Sequence, residues 1–200
     1  MSKIKYGMVI DLRRCIGCHT CEVACKMENR VPLGVWQAWV KQIEKGSYPN
    51  VRKSFLPILC DHCDNPSCVT VCPTKASFKR KDGIVIIDPH TCIGCGYCMM
   101  ACPYAVRYMH PIQKIVQKCS FCSHRIDAGL KPACVDACAT GARVFGNLLD
   151  PQEEVAILRN THAVQTIKPE YGTHPNIYYI GLDKDAVSSV GLPRRRSPVF

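Results

Sequence analysis

The apolar residues of this chain fall in short segments that predict brief strands and helices. Residues 6–11 place Tyr6, Met8 and Ile10 on one face, which predicts a short strand. Residues 76–87 predict a hairpin, because two apolar segments flank an Asp-Gly turn. The pattern therefore favours small antiparallel sheets.

The C-terminal part of the chain carries one helical and one extended pattern. Residues 151–159 predict a helix, and residues 176–180 predict a strand. Residues 193–198 contain three consecutive arginines between two prolines, which predicts a solvated or docking end. We expect residues 151–200 to form a C-terminal extension that provides a docking surface.

Sixteen cysteines interrupt these segments in four runs of four. The first and third runs have the spacing C-x2-C-x2-C-x3-C of bacterial ferredoxins, and the third also has their closing proline. The second run has two extra residues in its middle spacer, and the fourth run has a middle spacer of eleven residues. The runs are Cys15, Cys18, Cys21 and Cys25; Cys60, Cys63, Cys68 and Cys72; Cys92, Cys95, Cys98 and Cys102; and Cys119, Cys122, Cys134 and Cys138.

The first and third runs form an internal repeat. The tetrapeptide Cys-Ile-Gly-Cys recurs at 15–18 and 92–95, and an aspartate, Asp11 or Asp88, lies four residues before the first cysteine. In every run the last two cysteines are four residues apart, a helical step that aims both thiols to one side. We therefore expect a short helix at the end of each run and an α+β fold class with many loops.

The cysteine content indicates a fold held by metal rather than by disulfides. Disulfide frameworks belong to exported chains with scattered cysteines, whereas these thiols cluster at ligand-like intervals. Residues 1–6 also start no secretory signal. Zinc is an alternative for the fourth run alone, because its two cysteine pairs are separated by a long spacer, but the other three runs do not fit that rule.

The formal net charge of +10 would by itself indicate nucleic acid or an anionic membrane. Four oxidised [4Fe–4S] clusters, at about 2− each with their thiolates, would leave the charge near ~+2. No basic stretch interleaved with aromatic residues supports nucleic-acid binding. No stretch approaches the ~18 apolar residues of a membrane helix. We expect neither a nucleic-acid partner nor a transmembrane segment.

A four-iron cluster needs four thiolates, and in two-cluster ferredoxins the last cysteine of each run ligates the other cluster. Proline follows the last cysteine of the second and third runs, as Pro73 and Pro103, but not that of the first and fourth. This difference favours pairing the inner two runs with each other and the outer two with each other, while the pairing of first with third and second with fourth stays open. The predicted ligands are Cys15, Cys18, Cys21 and Cys138 for cluster 1; Cys60, Cys63, Cys68 and Cys102 for cluster 2; Cys92, Cys95, Cys98 and Cys72 for cluster 3; and Cys119, Cys122, Cys134 and Cys25 for cluster 4.

This pairing predicts two bacterial-ferredoxin-like modules with two clusters each. The outer module would comprise residues 1–55 and 105–150, and the inner module would comprise residues 56–104. Small antiparallel sheets, short helices and many loops would surround the clusters.

The sequence predicts electron transfer rather than catalysis by this chain. It contains no nucleophile and base constellation, no dinucleotide-binding glycine motif and no P-loop. A cluster with four thiolate ligands has no open position for a substrate. The basic residues Lys75, Arg107, Lys118 and Arg125 flank the runs, where they would balance the clusters' charge or tune their reduction potentials.

Two further motifs give the chain a family resemblance. They are Cys-Pro-Tyr-x2-Arg-Tyr-x-His-Pro at 102–111 and Lys-Cys-x2-Cys-x-His-Arg-x3-Gly-x2-Pro-Ala-Cys-x3-Cys at 118–138, and Phe-Gly-x-Leu-x-Asp-Pro follows at 145–151. With the four runs, they make residues 5–150 resemble the electron-transfer iron–sulfur subunit of molybdopterin oxidoreductases. The resemblance is strongest to the polysulfide, thiosulfate and dimethyl sulfoxide reductase branch.

The resemblance implies the middle subunit of a three-part respiratory complex. Four [4Fe–4S] clusters would relay single electrons between an integral membrane quinone-binding subunit and a molybdopterin-containing catalytic subunit. The family's pairing of runs is also inner with inner and outer with outer. The alternative is a multi-cluster ferredoxin subunit of another redox complex, such as a formate dehydrogenase or hydrogenase, and a remote one is a zinc-scaffold interaction module.

The resemblance also bears on location. It implies a protein peripheral to the cytoplasmic membrane, with the outer, periplasmic face favoured through export together with a partner that carries the signal. The cytoplasmic face is the alternative.

Overall fold

The computed structural model describes residues 4–183 and Val187, so the basic segment 193–198 lies outside the described residues. The strands are β1 (Tyr6–Asp11), β2 (Trp39–Lys45), β3 (Arg52–Ile58), β4 (Ser77–Lys79), β5 (Val85–Ile87), β6 (Arg107–Met109), β7 (Val116–Lys118), β8 (Arg143–Asn147), β9 (Val164–Gln165) and β10 (Ile177–Ile180). The helices are α1 (Thr20–Glu28), α2 (Ser67–Thr70), α3 (Tyr97–Met100), α4 (Ser123–Asp127), α5 (Ala133–Asp136) and α6 (Glu154–Thr161), and a 3₁₀ turn covers Pro169–Tyr171.

The strands form one four-stranded sheet and three hairpins. The larger sheet has the order β8-β1-β10-β9, in which β1 is antiparallel to β8 and parallel to β10. The hairpins are β2-β3, β4-β5 and β6-β7, all antiparallel. The α+β class with small sheets, short helices and many loops is therefore confirmed.

The predicted strand at residues 6–11 is β1, and both of its faces are buried. Met8 and Ile10 lie in the main core, which also contains several cysteines. Val9 lies on the other face, in a separate apolar cluster with Val155 of α6 and Leu148. Strand β1 thus lies between the cysteine-containing core and the C-terminal helix.

The predicted local elements around the cysteines are confirmed. The hairpin at residues 76–87 is β4-β5, and Gly83 in its turn has a φ of +88°. Helices α1, α2, α3 and α5 each include the third cysteine of a run. Helix α1 also contains the fourth cysteine of its run, Cys25, whereas α2, α3 and α5 end two residues before the fourth cysteine of theirs.

The C-terminal elements differ from the prediction in their limits. The helix begins at Glu154 rather than residue 151, because Asp150 holds the preceding residues in a turn: its side chain accepts a hydrogen bond from the Gln152 backbone at 3.0 Å. The predicted strand is β10, and it pairs with β1 rather than standing apart. Residues 164–180 therefore complete the larger sheet.

The division into an outer and an inner module stays a prediction. Strand β3 continues through residues 55 and 56, where the expected boundary lies. Among the described residues, no helix has the length and apolar character required to cross a membrane.

Candidate metal centres

The structure gathers the cysteines into four sets, numbered here as the predicted clusters are. Set 1 is Cys15, Cys18, Cys21 and Cys138; set 2 is Cys60, Cys63, Cys68 and Cys102; set 3 is Cys72, Cys92, Cys95 and Cys98; and set 4 is Cys25, Cys119, Cys122 and Cys134.

Set 1 lines a cavity. Cys15 and Cys18 lie in the loop that leads into α1, Cys21 lies in the first turn of α1, and Cys138 follows α5. Gly17 turns the loop with a φ of +68°, and a side chain there would collide with the Phe55 ring. Glycine thus allows the loop between Cys15 and Cys18 to pack closely against β3.

Set 2 lines a second cavity. The two extra residues in its run do not separate the ligands, because the C-terminal segment holds the enlarged loop. The Asp64 and Asn65 backbone amides donate hydrogen bonds to the carbonyls of His174 and Thr173, at 2.9 and 3.0 Å. Pro66 then precedes the first residue of α2, which carries Cys68.

Set 3 lines a third cavity. Its loop repeats that of set 1, and Gly94 has a φ of +69°. A Cβ atom on Gly94 would collide with the backbone carbonyl oxygen of Lys114. Both copies of Cys-Ile-Gly-Cys therefore need glycine for its positive φ, and in each copy a different neighbouring group leaves no room for a side chain.

Set 4 is buried against α1. The side-chain amide of Asn29 lies between two of its thiols and donates to Cys25 Sγ at 3.7 Å and to Cys122 Sγ at 3.6 Å. Burial raises the pKa of Cys119, and the charges of Cys25, Cys134 and Cys122 raise it further. The four predicted ligands of cluster 4 thus lie close together.

The four sets follow one another through the molecule in the order 1, 4, 2, 3. Burial raises the pKa of Cys134 in set 4, and the charge of Cys21 in set 1 adds to it. Cys60 of set 2 likewise adds to the raised pKa of Cys119. Sets 2 and 3 meet at the guanidinium of Arg107.

Exposure differs along this series. All four cysteines of set 4 are buried, and none in set 2 is exposed, whereas Cys18 in set 1 and Cys95 in set 3 are exposed. The two terminal sets therefore reach the surface.

Burial keeps several of these thiols protonated when no metal is bound. Burial is the main cause that raises the pKa of Cys25 to about 12 and that of Cys102 to about 11. Such thiols keep their protons at neutral pH unless a metal ion displaces them. Within residues 4–183, no three His, Cys, Asp or Glu side chains are arranged to hold a single metal ion. The sulfur donors instead surround cavities of similar size.

Two buried arginines also fit an anionic group in these cavities. Arg107 lines the cavity of set 2, Arg143 lines that of set 1, and one terminal N–H group of each has no acceptor. A sulfide or thiolate of an iron–sulfur cluster would supply such an acceptor. Arg107 was predicted from the sequence to balance or tune a cluster, whereas Arg143 was not, although both lie five residues after the last cysteine of a run.

Comparisons with known proteins agree with the cysteine pattern. Two family models described as 4Fe-4S dicluster domains match residues 14–77 and 51–148. Two such domains with sixteen cysteines fit four [4Fe–4S] clusters.

Curated relatives extend the match to nearly the whole chain. The chain is 47% identical to a tetrathionate reductase subunit of Salmonella typhimurium over 183 residues, which cover 90% of this chain and 73% of that protein. It is 44% identical to Protein NrfC of Escherichia coli over 188 residues, 92% of this chain and 84% of that protein. It is 38% identical to the arsenate respiratory reductase iron-sulfur subunit ArrB of a Shewanella species, across 88% of this chain and 96% of that protein. The chain belongs to the iron–sulfur, electron-transfer subunits of the molybdopterin oxidoreductase family.

Proposed function

We propose that the four cysteine sets are the ligands of the four clusters, with the assignment given above for sets 1 to 4. The observation that carries this proposal is the cavity geometry. Three separate cavities of similar size are each lined by four cysteines, three from one run and one from the paired run. The similar sizes support one kind of occupant.

The order of the sets supports a linear electron path from cluster 1 through clusters 4 and 2 to cluster 3, or in the reverse direction. [4Fe–4S] clusters supply one-electron redox chemistry when bound. The chain contributes the thiolates, the burial of the two middle sites of this path, sets 4 and 2, and the basic and amide groups around the thiolates. Exposed Cys18 and Cys95 support sets 1 and 3 as the points of electron entry and exit.

The partners follow from this path. An electron path with an exposed set at each end needs an electron donor at one end and an electron acceptor at the other, because this chain has no proposed catalytic site of its own. We propose a molybdopterin-containing catalytic subunit and an integral membrane quinone-binding subunit for these roles. The tetrathionate reductase relative and the ArrB iron-sulfur subunit support the first, since both names describe one subunit of a reductase.

The proposed location is peripheral, on the cytoplasmic membrane, with the outer face favoured. Attachment would come from the quinone-binding partner, and export would occur together with the catalytic partner. Expression of the three subunits with a compartment-specific label on this chain would test the side of the membrane.

Iron analysis of the full chain tests the cluster proposal. Anaerobically purified protein should contain about sixteen iron and sixteen sulfide per chain and should give EPR signals of reduced [4Fe–4S] clusters on treatment with dithionite. Zinc bound without an EPR signal would contradict the proposal. Four irons or fewer per chain would contradict the four-cluster assignment.

A further inference from the structure

Two buried arginines occupy equivalent places in the two cluster pairs. Arg107 follows Cys102 by five residues and begins β6, and Arg143 follows Cys138 by five residues and begins β8. Their exposed fractions are only 6% and 3%. The last cysteine of the run and the arginine five residues later therefore recur with the same spacing, although the four residues between them differ in the two copies.

Arg107 lies between sets 2 and 3. Its Nη2 donates to Cys68 Sγ at 2.7 Å and to Ser77 Oγ at 3.0 Å, while its Nη1 has no acceptor. Burial lowers the pKa of Arg107, but neighbouring thiols outweigh that effect and raise it. These thiols are Cys68, Cys60 and Cys102 of set 2 and Cys98 of set 3.

Arg143 lies between sets 1 and 4, as Arg107 lies between sets 2 and 3. It lines the cavity of set 1, and its Nη1 donates to Cys134 Sγ of set 4 at 3.6 Å. Its Nη2 has no acceptor. The guanidinium therefore faces thiols of two sets, as that of Arg107 does.

Neither charge is balanced by a carboxylate. Across residues 4–183, no aspartate or glutamate forms an ion pair with Arg107 or Arg143, although a buried cation without a counter-charge is strongly disfavoured. Asp61 also lines the cavity of set 2, but it forms no ion pair with Arg107. The groups of the four sets that the two guanidiniums contact are cysteine sulfurs, so the clusters that these hold would be the counter-ions.

Lys118 is a buried cation near these sets whose ammonium already has acceptors. It is 5% exposed, but its ammonium donates to the backbone carbonyls of Val85 and Cys119. Its donors are occupied by the chain itself. Within the described part of the chain, only the two arginines combine a buried charge, a thiol contact and an unpaired N–H group.

We propose that Arg107 and Arg143 raise the reduction potentials of the clusters on either side of them, Arg107 for clusters 2 and 3 and Arg143 for clusters 1 and 4. Reduction adds a negative charge to a cluster, and a fixed positive charge nearby stabilises that form. Hydrogen bonds to cluster sulfurs act in the same direction. This inference rests on the proposed ligand sets.

Potentiometric titration of the anaerobically purified full chain, followed by EPR, tests the proposal. Arg107→Gln keeps an N–H donor and removes the charge, so it should lower the one-electron reduction equilibrium constant of two of the four clusters at least tenfold, which is about 59 mV. Arg143→Gln should shift the other two clusters by a similar factor. The double variant should shift all four.

Matched variants separate charge from packing. Arg107→Lys and Arg143→Lys keep the charge, so they should keep the potentials within about threefold of the wild-type equilibrium constants, which is under ~30 mV. Arg80→Gln removes a surface arginine that pairs with Asp82 and Asp127, and it should change none of the four potentials.

Three results would overturn the proposed role of the arginines, and a fourth would overturn the proposed function instead. Potentials unchanged in the glutamine variants with sixteen irons bound would overturn the proposal, as would equal shifts in the glutamine and lysine variants. Loss of iron from both substitutions at one position would make that arginine a structural residue and would also overturn it. Wild-type protein without reducible clusters would instead overturn the proposed function on which this inference rests.

Discussion

At the scale of single residues, the fourth cysteine of each run joins the set of a different run. Cys102 ends the third run but lines the cavity of set 2 with Cys60, Cys63 and Cys68. Each pair of runs is therefore linked twice, once in each direction. A substitution of one of these last cysteines should therefore affect the cluster that is held mainly by the paired run, not the cluster that is held by the other three cysteines of its own run.

The exchange predicts which cluster responds when a ligand changes. Cys102→Ser should alter the EPR spectrum and potential of cluster 2, whose other thiolates come from the second run. Cys98→Ser, only four residues earlier, should alter cluster 3 instead. If the two substitutions change the same cluster, the ligand exchange is wrong.

Two glycines of the third run allow a second test at the residue scale. Gly94 and Gly96 both have positive φ, but only a side chain at Gly94 would collide with a backbone atom, the carbonyl oxygen of Lys114. Both alanine substitutions should therefore cost about 1–2 kcal/mol of conformational strain. Gly94→Ala should cost about 1–3 kcal/mol more through overpacking.

Thermal unfolding of the cluster-loaded protein would measure this difference. Gly94→Ala should lower the midpoint clearly more than Gly96→Ala and should release iron from cluster 3 first. Equal midpoints would mean that the close approach of the Lys114 carbonyl does not constrain the loop.

The sequence predicted the chemistry of single residues better than their surroundings. The four runs of cysteines could be recognised from the sequence, because ligand spacing is a local property of the chain, and the assignment of each cysteine to one cluster stays a prediction. Arg143 was missed, since only its distance from Cys138 pointed to it. Its contact with Cys134 depends on how α5 and β8 fold together.

At the scale of elements, the C-terminal segment supports the first strand. Helix α6 and strand β10 enclose β1, and their apolar cluster of Val9, Val144, Leu148, Val155 and Ile180 contains no cysteine. This part of the fold therefore depends on ordinary hydrophobic burial, whereas the main core contains thiols as well.

Truncation of one side chain in this cluster should destabilise the fold. Leu148 is 2% exposed, so Leu148→Ala should lower the free energy of unfolding by about 2–5 kcal/mol. Its neighbour Leu149 is 51% exposed, so Leu149→Ala should change it by less than about 0.5 kcal/mol. Anaerobic chemical denaturation would measure both, and equal effects would contradict the described packing.

The elements that the sequence predicted are those with a local signal. The β4-β5 hairpin has an Asp-Gly turn, and the helices have cysteines at a helical step. The hairpin β2-β3 was not predicted, although residues 46–50 between its strands are rich in the turn-forming residues Gly, Ser, Pro and Asn. The parallel pairing of β1 with β10 joins residues almost 170 positions apart, which no local pattern reveals.

At the scale of the whole molecule, the cysteine sets replace much of the apolar core. Cys21, Cys25, Cys60, Cys119 and Cys134 are buried in the main core. A chain of this size with so many buried thiols should depend on bound metal for its tertiary structure. The order of the four sets could not be derived from spacing, since it depends on how the two pairs of runs pack together.

Removal of iron should therefore unfold the molecule unevenly. Anaerobic treatment with a chelator and an oxidant should abolish amide hydrogen-exchange protection around α1, α5 and the β4-β5 hairpin. Protection in β1, β8 and α6 should persist longer, because their shared apolar cluster contains no thiol. Full protection throughout the iron-free chain would contradict a metal-dependent fold.

The exposed cysteines in sets 1 and 3, at the two ends of the order 1, 4, 2, 3, also determine which clusters oxygen can reach most easily. Cys18 and Cys95 give oxygen a direct approach to the terminal sites, whereas the cysteines of set 4 are enclosed by protein. In air, the isolated chain should lose iron first from clusters 1 and 3, which timed iron analysis with EPR would detect. Partner subunits that cover both ends would then act as shields against oxidation as well as donors and acceptors of electrons.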